Sequence, residues 1–369
     1  MAVRILRKLE VETPRKGPHT DLFSGPTKTQ FSYDLAHVFL PQAHCQVRSF
    51  LQWAKVIRAR AGKAPLFINF DETAMKFNYA KLKGLIVSKK HLPPGKKHRK
   101  EQISSSEAKA SVSFLAFITA DPAIQDKLPQ IILGNKHQLT AALVAELAPS
   151  HQFYVWREES GWINKKIMNR VLTLLSKCLK DIMVTRQVVL VMDTYSAHMA
   201  ESVLAYASRL NILLLFVPAK LTPLLQPADT HLFGKLKRKL QEKWVQLRMQ
   251  DENGKVSHKL WLAVVFQVCR EVMLATTWQA AFESAGLLGE HVSDRVLEQL
   301  GWEALPPISA EIPSCEQLKS IFPKGRKVAG KRASLFKFCL PKAKAKPKPK
   351  AEAKAKAAAK AAAYAPNLD

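Results

Sequence analysis

Five apolar runs of strand length, at residues 66–70, 112–118, 131–133, 188–192 and 212–217, alternate with segments of helical periodicity, and no other feature constrains the fold as much. Runs this short and this continuously apolar read as strands buried on both faces. A helical segment at 199–210 lies between the last two runs and makes a βαβ-like unit. Another, at 162–181, carries Ile163, Ile167, Val171, Leu174, Leu175 and Cys178 on one stripe. The pattern predicts a three-layer α/β domain, a mixed sheet flanked by helices. Ahead of it, residues 31–60 read as largely helical with an interruption at 39–41, and residues 1–29, with Pro14, Pro18 and Pro26, as an extended arm. Behind it, 261–300 reads as all helix and 306–323 as a connector. The expected organisation is an arm and short helical segment at 1–64, an α/β domain at 65–245, a helical extension at 246–322 and a tail at 323–369.

Charge narrows the partner. The chain has 57 Lys and Arg against 30 Asp and Glu, a net of +27, and a field of that sign favours a polyanion, with nucleic acid first. Lys96, Lys97, Arg99 and Lys100 form one cluster in what reads as an exposed turn. Lys235, Lys237, Arg238 and Lys239 form another on a helix. The Lys/Ala/Pro segment containing Lys344, Lys346, Lys348 and Lys350 has almost nothing to bury, so a disordered basic tail that clamps phosphates is expected. Lys324, Arg326, Lys327, Lys331 and Arg332 are the kind of patch read as a nuclear address, so the nucleus is the expected location. Five cysteines stand singly without a CxxC pair, which supports neither a disulfide framework nor a zinc ribbon. No apolar stretch approaches the roughly 18 residues of a membrane span, and the first residues lack the pattern of a secretory signal. A soluble intracellular protein without a membrane partner is expected.

Phosphate-loop, dinucleotide, hydrolase-elbow and zincin motifs are absent. Three acids stand out instead. Asp71 closes LFINF and precedes Glu72, Asp193 closes VVLVM, and Asp229 follows PLLQPA at the opening of a helix. A carboxylate at the end of a buried strand is costly to leave charged, and a divalent cation is a common compensation. With Pro227 in the first helical turn, Asp229, Phe233, Leu236, Leu240 and Trp244 share one face, so that carboxylate is expected to point toward the strands while Lys235, Lys237 and Arg238 spread elsewhere. Each acid alone also has a structural reading: a turn residue at Asp71, a helix cap at Asp193, a dipole partner at Asp229. Three on one mixed α/β domain suit phosphodiester cleavage or strand transfer by two Mg²⁺ or Mn²⁺ ions about 4 Å apart.

The blocks FINFDETAMKFNYA from Phe67, KHRKEQISSSEAKASVSFLAFITAD from Lys97, LPQIILGNK from Leu128, ESGWINKKIM from Glu159, VVLVMDTYSAH from Val188 and NILLLFVPAKLTPLLQPADTHLFGKLKRKL from Asn211 carry a family resemblance. In this order they resemble the DDE superfamily endonucleases, specifically the catalytic domain of pogo/Tigger-type transposases and the related jerky and centromere protein B groups. The resemblance covers about residues 65–243. It implies an RNase H-like fold with Asp71, Asp193 and Asp229 as the catalytic, metal-binding triad, two Mg²⁺ or Mn²⁺ ions as cofactor, and DNA as partner. Thirty-five residues separate Asp193 from Asp229, similar to the family's spacing. Gln226 and Pro227 match the family's QP before the third acid, and His198 matches its histidine after the second. Glu72 and Thr194 follow the first two acids as supporting residues; the family usually has Asn where Thr194 stands. Such enzymes nick DNA at element ends, join the freed 3′-hydroxyl to target DNA, and tend to act as dimers. Two functions follow: a DNA-binding, transposase-derived endonuclease, or a domesticated, inactive nucleic-acid-binding protein that retains the fold.

Overall fold

β1 (Ala64–Lys76) organises the molecule. In the computed structural model, which describes residues 40–76, 111–147, 153–250, 256–274 and 277–321, it stands inside a six-stranded sheet of order β4-β3-β2-β1-β5-β6. The other strands are β2 (Ser111–Thr119), β3 (Ile131–Asn135), β4 (Tyr154–Glu158), β5 (Arg186–Met192) and β6 (Leu213–Phe216). β1, β2 and β3 form an antiparallel meander, whereas β5 adds parallel to β1, β6 parallel to β5 and β4 parallel to β3. This is the expected mixed sheet of an α/β domain.

Its core follows from the apolar runs: Leu66, Phe67, Ile68 and Phe70 of β1, Val188 to Met192 of β5 and Leu213 to Phe216 of β6 are all buried. β1 outlasts its apolar run, however. Beyond Asp71 the burial alternates, with Thr73 and Met75 in and Ala74 and Lys76 out, because the strand continues only as an antiparallel partner of β2. β4 was not among the expected strands; only Trp156 of YVWRE is buried, two of its residues are charged, and at an outer edge of the sheet it lacks a continuous apolar signal.

Helices supply the flanking layers. α1 (Leu40–Arg60) begins with Pro41 in its first turn, where the missing N–H costs nothing, and buries Val47, Phe50, Trp53 and Ile57. α2 (Lys165–Cys178) is capped by Asn164, whose Oδ1 accepts the Ile167 N–H at 3.0 Å, and buries Ile167, Val171 and Leu175 of the predicted stripe, with Leu174 and Cys178 half-buried at its margin. α2 packs on α3 (Glu201–Arg209), the crossover between β5 and β6. α4 (Phe233–Gln250) and α5 (His258–Leu274) pack together through Trp244 and Trp261, ring centroids 4.9 Å apart, and the Trp261 indole donates to Lys76 O at 2.9 Å, tying this pair to the end of β1.

The region expected to be helix throughout 261–300 is broken. α6 (Gln279–Ser284) ends at Gly286, whose φ of +71° and crowding against Leu51 leave no room for a Cβ, and α7 (Asp294–Leu300) starts afresh after Ser293. The expected connector at 306–323 ends in a helix, α8 (Cys315–Ile321). Polar side chains of α1 hold this whole stretch by its carbonyls: His44 to Leu300 O, Gln52 to Glu311 O, Lys55 to Ile308 O and Arg58 to Leu287 O and Gly289 O, at 2.6–3.0 Å. No helix of the described residues is long and apolar enough to cross a membrane. Lys96, Lys97, Arg99, Lys100, Lys344, Lys346, Lys348 and Lys350 lie outside the described residues.

Candidate active site

The parallel ladder between β1 and β5 ends at Asn69 opposite Val191. Two residues beyond that last rung come Asp71, still within β1, and Asp193, one residue past the end of β5. Asp71 still faces Ala116 of β2 on its other side, so its backbone is fixed while the β5 side is open. Asp229 arrives from a third element. After β6 the chain passes Gln226 and Pro227 and makes one π-helical turn, Ala228–Leu232, that leads into α4. Phe233, Leu236, Leu240 and Trp244 are buried as the spacing predicted, and Lys235, Lys237, Arg238 and Lys239 are exposed, but Asp229, expected on the same buried face, is exposed because the wider π-helical turn shifts it off the α4 stripe.

Local hydrogen bonds orient two of the carboxylates. Asp71 Oδ1 accepts the Glu72 N–H at 2.8 Å. Asp193 Oδ1 accepts both the Tyr195 N–H at 3.1 Å and a bond from His198 Nδ1 at 2.7 Å. In each case one oxygen is engaged by the protein and Oδ2 has no hydrogen bond among the described residues. His198 is 1% exposed, and its Nε2 lies 3.6 Å from Glu72 Oε2; neither atom has a hydrogen-bond partner. Gln226 is also buried, donating to Phe70 O at 3.4 Å. Thr194 is half-buried beside Asp193.

Electrostatics couple the acids. Burial pushes the Asp71 carboxyl well above the usual range, and the charges of Asp229, Glu72 and Asp193 push it further. Burial raises Glu72 against the pull of His198. Burial also works to raise Asp193, but the hydrogen bond and charge of His198 outweigh it and leave the carboxyl below its usual range. Asp229, the most exposed of the three, is raised by partial desolvation and by Asp193, with Lys237 and a hydrogen bond from Thr222 opposing. His198, whose burial favours the neutral ring, is nonetheless raised by Asp193 and Glu72.

Among the described residues, no three His, Cys, Asp or Glu side chains stand close enough to form a ready-made metal cage. The donor set still suits a hard divalent cation. Mg²⁺ is characteristically held by one or two carboxylates, with waters and substrate phosphates completing its shell, and acids that raise one another's pKa are relieved by such an ion. Asp71, Asp193 and Asp229 are the residues that would hold it.

Two contributors escaped the sequence reading. The Tyr195 amide acts through its backbone and leaves no sequence signal. Asn69 did leave one, as the only polar residue inside LFINF. It is fully buried, with Nδ2 donating to Val191 O at 2.9 Å and Oδ1 accepting the Ala228 N–H at 2.8 Å.

Residues 113–285, from β2 to the end of α6 and including Asp193 and Asp229, match the family model of the DDE superfamily endonuclease. The resemblance to the DDE superfamily endonucleases holds. Asp71 and Asn69 precede the matched span. Solved structures similar to this DDE-like chain include a pre-cleavage Mos1 transpososome, at 14% identity over 78% of this chain and 79% of that one with a TM-score of 0.36. Another is the Mos1 transposase catalytic domain with raltegravir and Mn, at 13% identity over 66% of this chain and 95% of that one with a TM-score of 0.33. None of the curated proteins compared matches the chain.

Proposed function

We propose that this protein is a DNA-acting endonuclease of the pogo/Tigger transposase type, cleaving phosphodiesters and transferring strands with two divalent cations. The observation that carries the reading is the placement of three carboxylates: Asp71 and Asp193 lie just beyond the last rung of the β1–β5 ladder, and Asp229 lies on the turn whose Ala228 N–H is held by Asn69 of β1. Bound ions would activate the attacking oxygen and stabilise the leaving one. The chain's own part is to orient the ligands. Asp193 is held by Tyr195 and His198 through Oδ1, and Asp71 by the Glu72 amide through its Oδ1, which leaves each Oδ2 without a hydrogen bond among the described residues. Lys235, Lys237, Arg238 and Lys239, exposed on α4 directly after Asp229, would contact the phosphate backbone. A homodimer is the assembly suited to a reaction on two DNA ends, and the basic patch after residue 323 suits a nuclear protein.

Nicking of supercoiled plasmid in Mg²⁺ or Mn²⁺, compared with Asp193→Asn, tests the reading. Nicking by the wild type that chelator and the substitution both abolish is expected. DNA binding without metal-dependent nicking would replace the nuclease with the inactive nucleic-acid-binding protein.

A further inference from the structure

We propose that Asn69 is the positioning residue that sets the spacing of the three carboxylates. The consequence for metal binding rests on the nuclease reading, but the geometry does not. Asn69 precedes Asp71 by two residues and so points to the same face of β1. Its Nδ2 holds Val191 O, two residues before Asp193, and its Oδ1 holds the Ala228 N–H, one residue before Asp229. One buried amide thus touches all three acid-bearing segments within two residues of each acid.

The chemistry demands an amide there. Ala228 begins a helical turn, where the N–H has no partner within the turn, and Val191 offers a carbonyl at the last rung of the β1–β5 ladder. Aspartate has the reach of asparagine but no donor when ionised; leucine has the volume but neither group. The turn bearing Asp229 is 159 positions from Asn69 in the chain, and its other hydrogen bond to β1, from Gln226 to Phe70 O, is long at 3.4 Å. Loss of Asn69 should therefore free Asp229 relative to Asp71 and Asp193, and a displacement of about 1 Å in such a site is costly.

A generic core defect must be told apart from mispositioning. Thr119 supplies the control: it is 1% exposed, and its hydroxyl donates to Phe67 O at 2.9 Å on the same strand, away from the acids. In the full-length protein without metal, Asn69→Leu is expected to raise amide hydrogen exchange across residues 226–232 about tenfold, while Thr119→Val leaves that segment protected. With Mn²⁺ as probe in calorimetric titration, Asn69→Leu should weaken binding by about 10–100-fold, the usual effect of losing a residue that orients metal ligands, and Thr119→Val by less than about twofold. If Asn69→Leu does not fold, Asn69→Ser, too short to span both partners, takes its place with the same expectations. Wild-type protection of 226–232 and wild-type Mn²⁺ affinity in the Asn69 variant would overturn the proposal, as would equal losses in Thr119→Val. A wild type that binds no Mn²⁺ would overturn the nuclease reading, and the exchange measurement would still decide whether Asn69 docks the turn.

Discussion

His198 Nδ1 donates to Asp193 Oδ1 across 2.7 Å from a ring that is 1% exposed. The opposite nitrogen faces Glu72, the neighbour of Asp71, so the imidazole spans the gap between the loop after β5 and the middle of β1. A buried hydrogen bond to a charged group contributes about 1.5–3 kcal/mol, and its removal leaves Asp193 desolvated without its partner. His198→Ala should therefore lower unfolding stability near neutral pH by about 2–3 kcal/mol in urea titration. His198→Asn, whose side-chain amide can stand where Nδ1 does, should recover part of that loss. Equal stability of the wild type and His198→Ala would show that the bond contributes nothing.

The raised carboxyl of Asp71 sets the sign of a pH dependence. In the window between the unfolded value and the higher folded value, the folded state holds a proton that the unfolded state has released, so stability falls as pH rises through the window. His198, also raised, contributes stability that is complete below its unfolded value and is lost as pH rises through the folded one. Asp193 is lowered, and its contribution is lost only as pH falls through its depressed value. As pH rises from the ordinary carboxylate range through the raised folded values of Asp71 and His198, the metal-free protein should lose stability, and Asp71→Asn should flatten the descent. Urea midpoints measured across that range check this; a midpoint that climbs with pH would contradict it.

The sheet was legible because its central strands are buried on both faces and so read as unbroken apolar runs; β4, an edge strand with alternating and charged residues, was not. The helical region beyond α5 misled for a related reason. Its apolar residues continue past Gly286, and only the positive φ there, at a position where a Cβ would clash with Leu51, reveals the break. In the site, the two acids that close apolar runs and the buried face of α4 were readable from spacing, but not that β1 continues past Asp71. What spacing could not give is how the elements are held together: the pairing of β1 past Asp71, the backbone amide at Tyr195, and the double use of Asn69 all depend on partners more than a hundred residues away or on main-chain groups.

Removal of residues 324–369 should change how DNA affinity depends on salt. This segment carries 14 Lys and Arg against 2 acidic residues. Each neutralised phosphate adds about 0.9 to the slope of log affinity against log salt, so a tail that engages six phosphates contributes about 5. A chain ending at Pro323 should show a correspondingly shallower slope while keeping the contacts of Lys235, Lys237, Arg238 and Lys239. Fluorescence anisotropy with a labelled duplex at several salt concentrations reads both slopes, and identical slopes would remove the tail from the interface.

Metal should stabilise the fold through the three acids and through no others. Binding to the folded state alone contributes about 2.7 kcal/mol at a hundredfold excess over the dissociation constant. For a folded body of this size that raises the melting temperature by about 5–10 °C. Asp71→Asn, Asp193→Asn and Asp229→Asn each remove an anionic ligand at nearly constant volume, so each should shrink the Mn²⁺ shift. They should differ without metal. Asp71 is buried among like charges, so its neutralisation should leave the metal-free fold as stable or more stable by on the order of 1 kcal/mol. Asp193 is held by His198, and its neutralisation should cost stability. Glu298, an exposed acid on α7, supplies the control, since Glu298→Gln should keep the full shift. Thermal melts with and without Mn²⁺ decide the matter: an unchanged wild type, or the same shift in all three Asp variants, would mean that these carboxylates hold no metal.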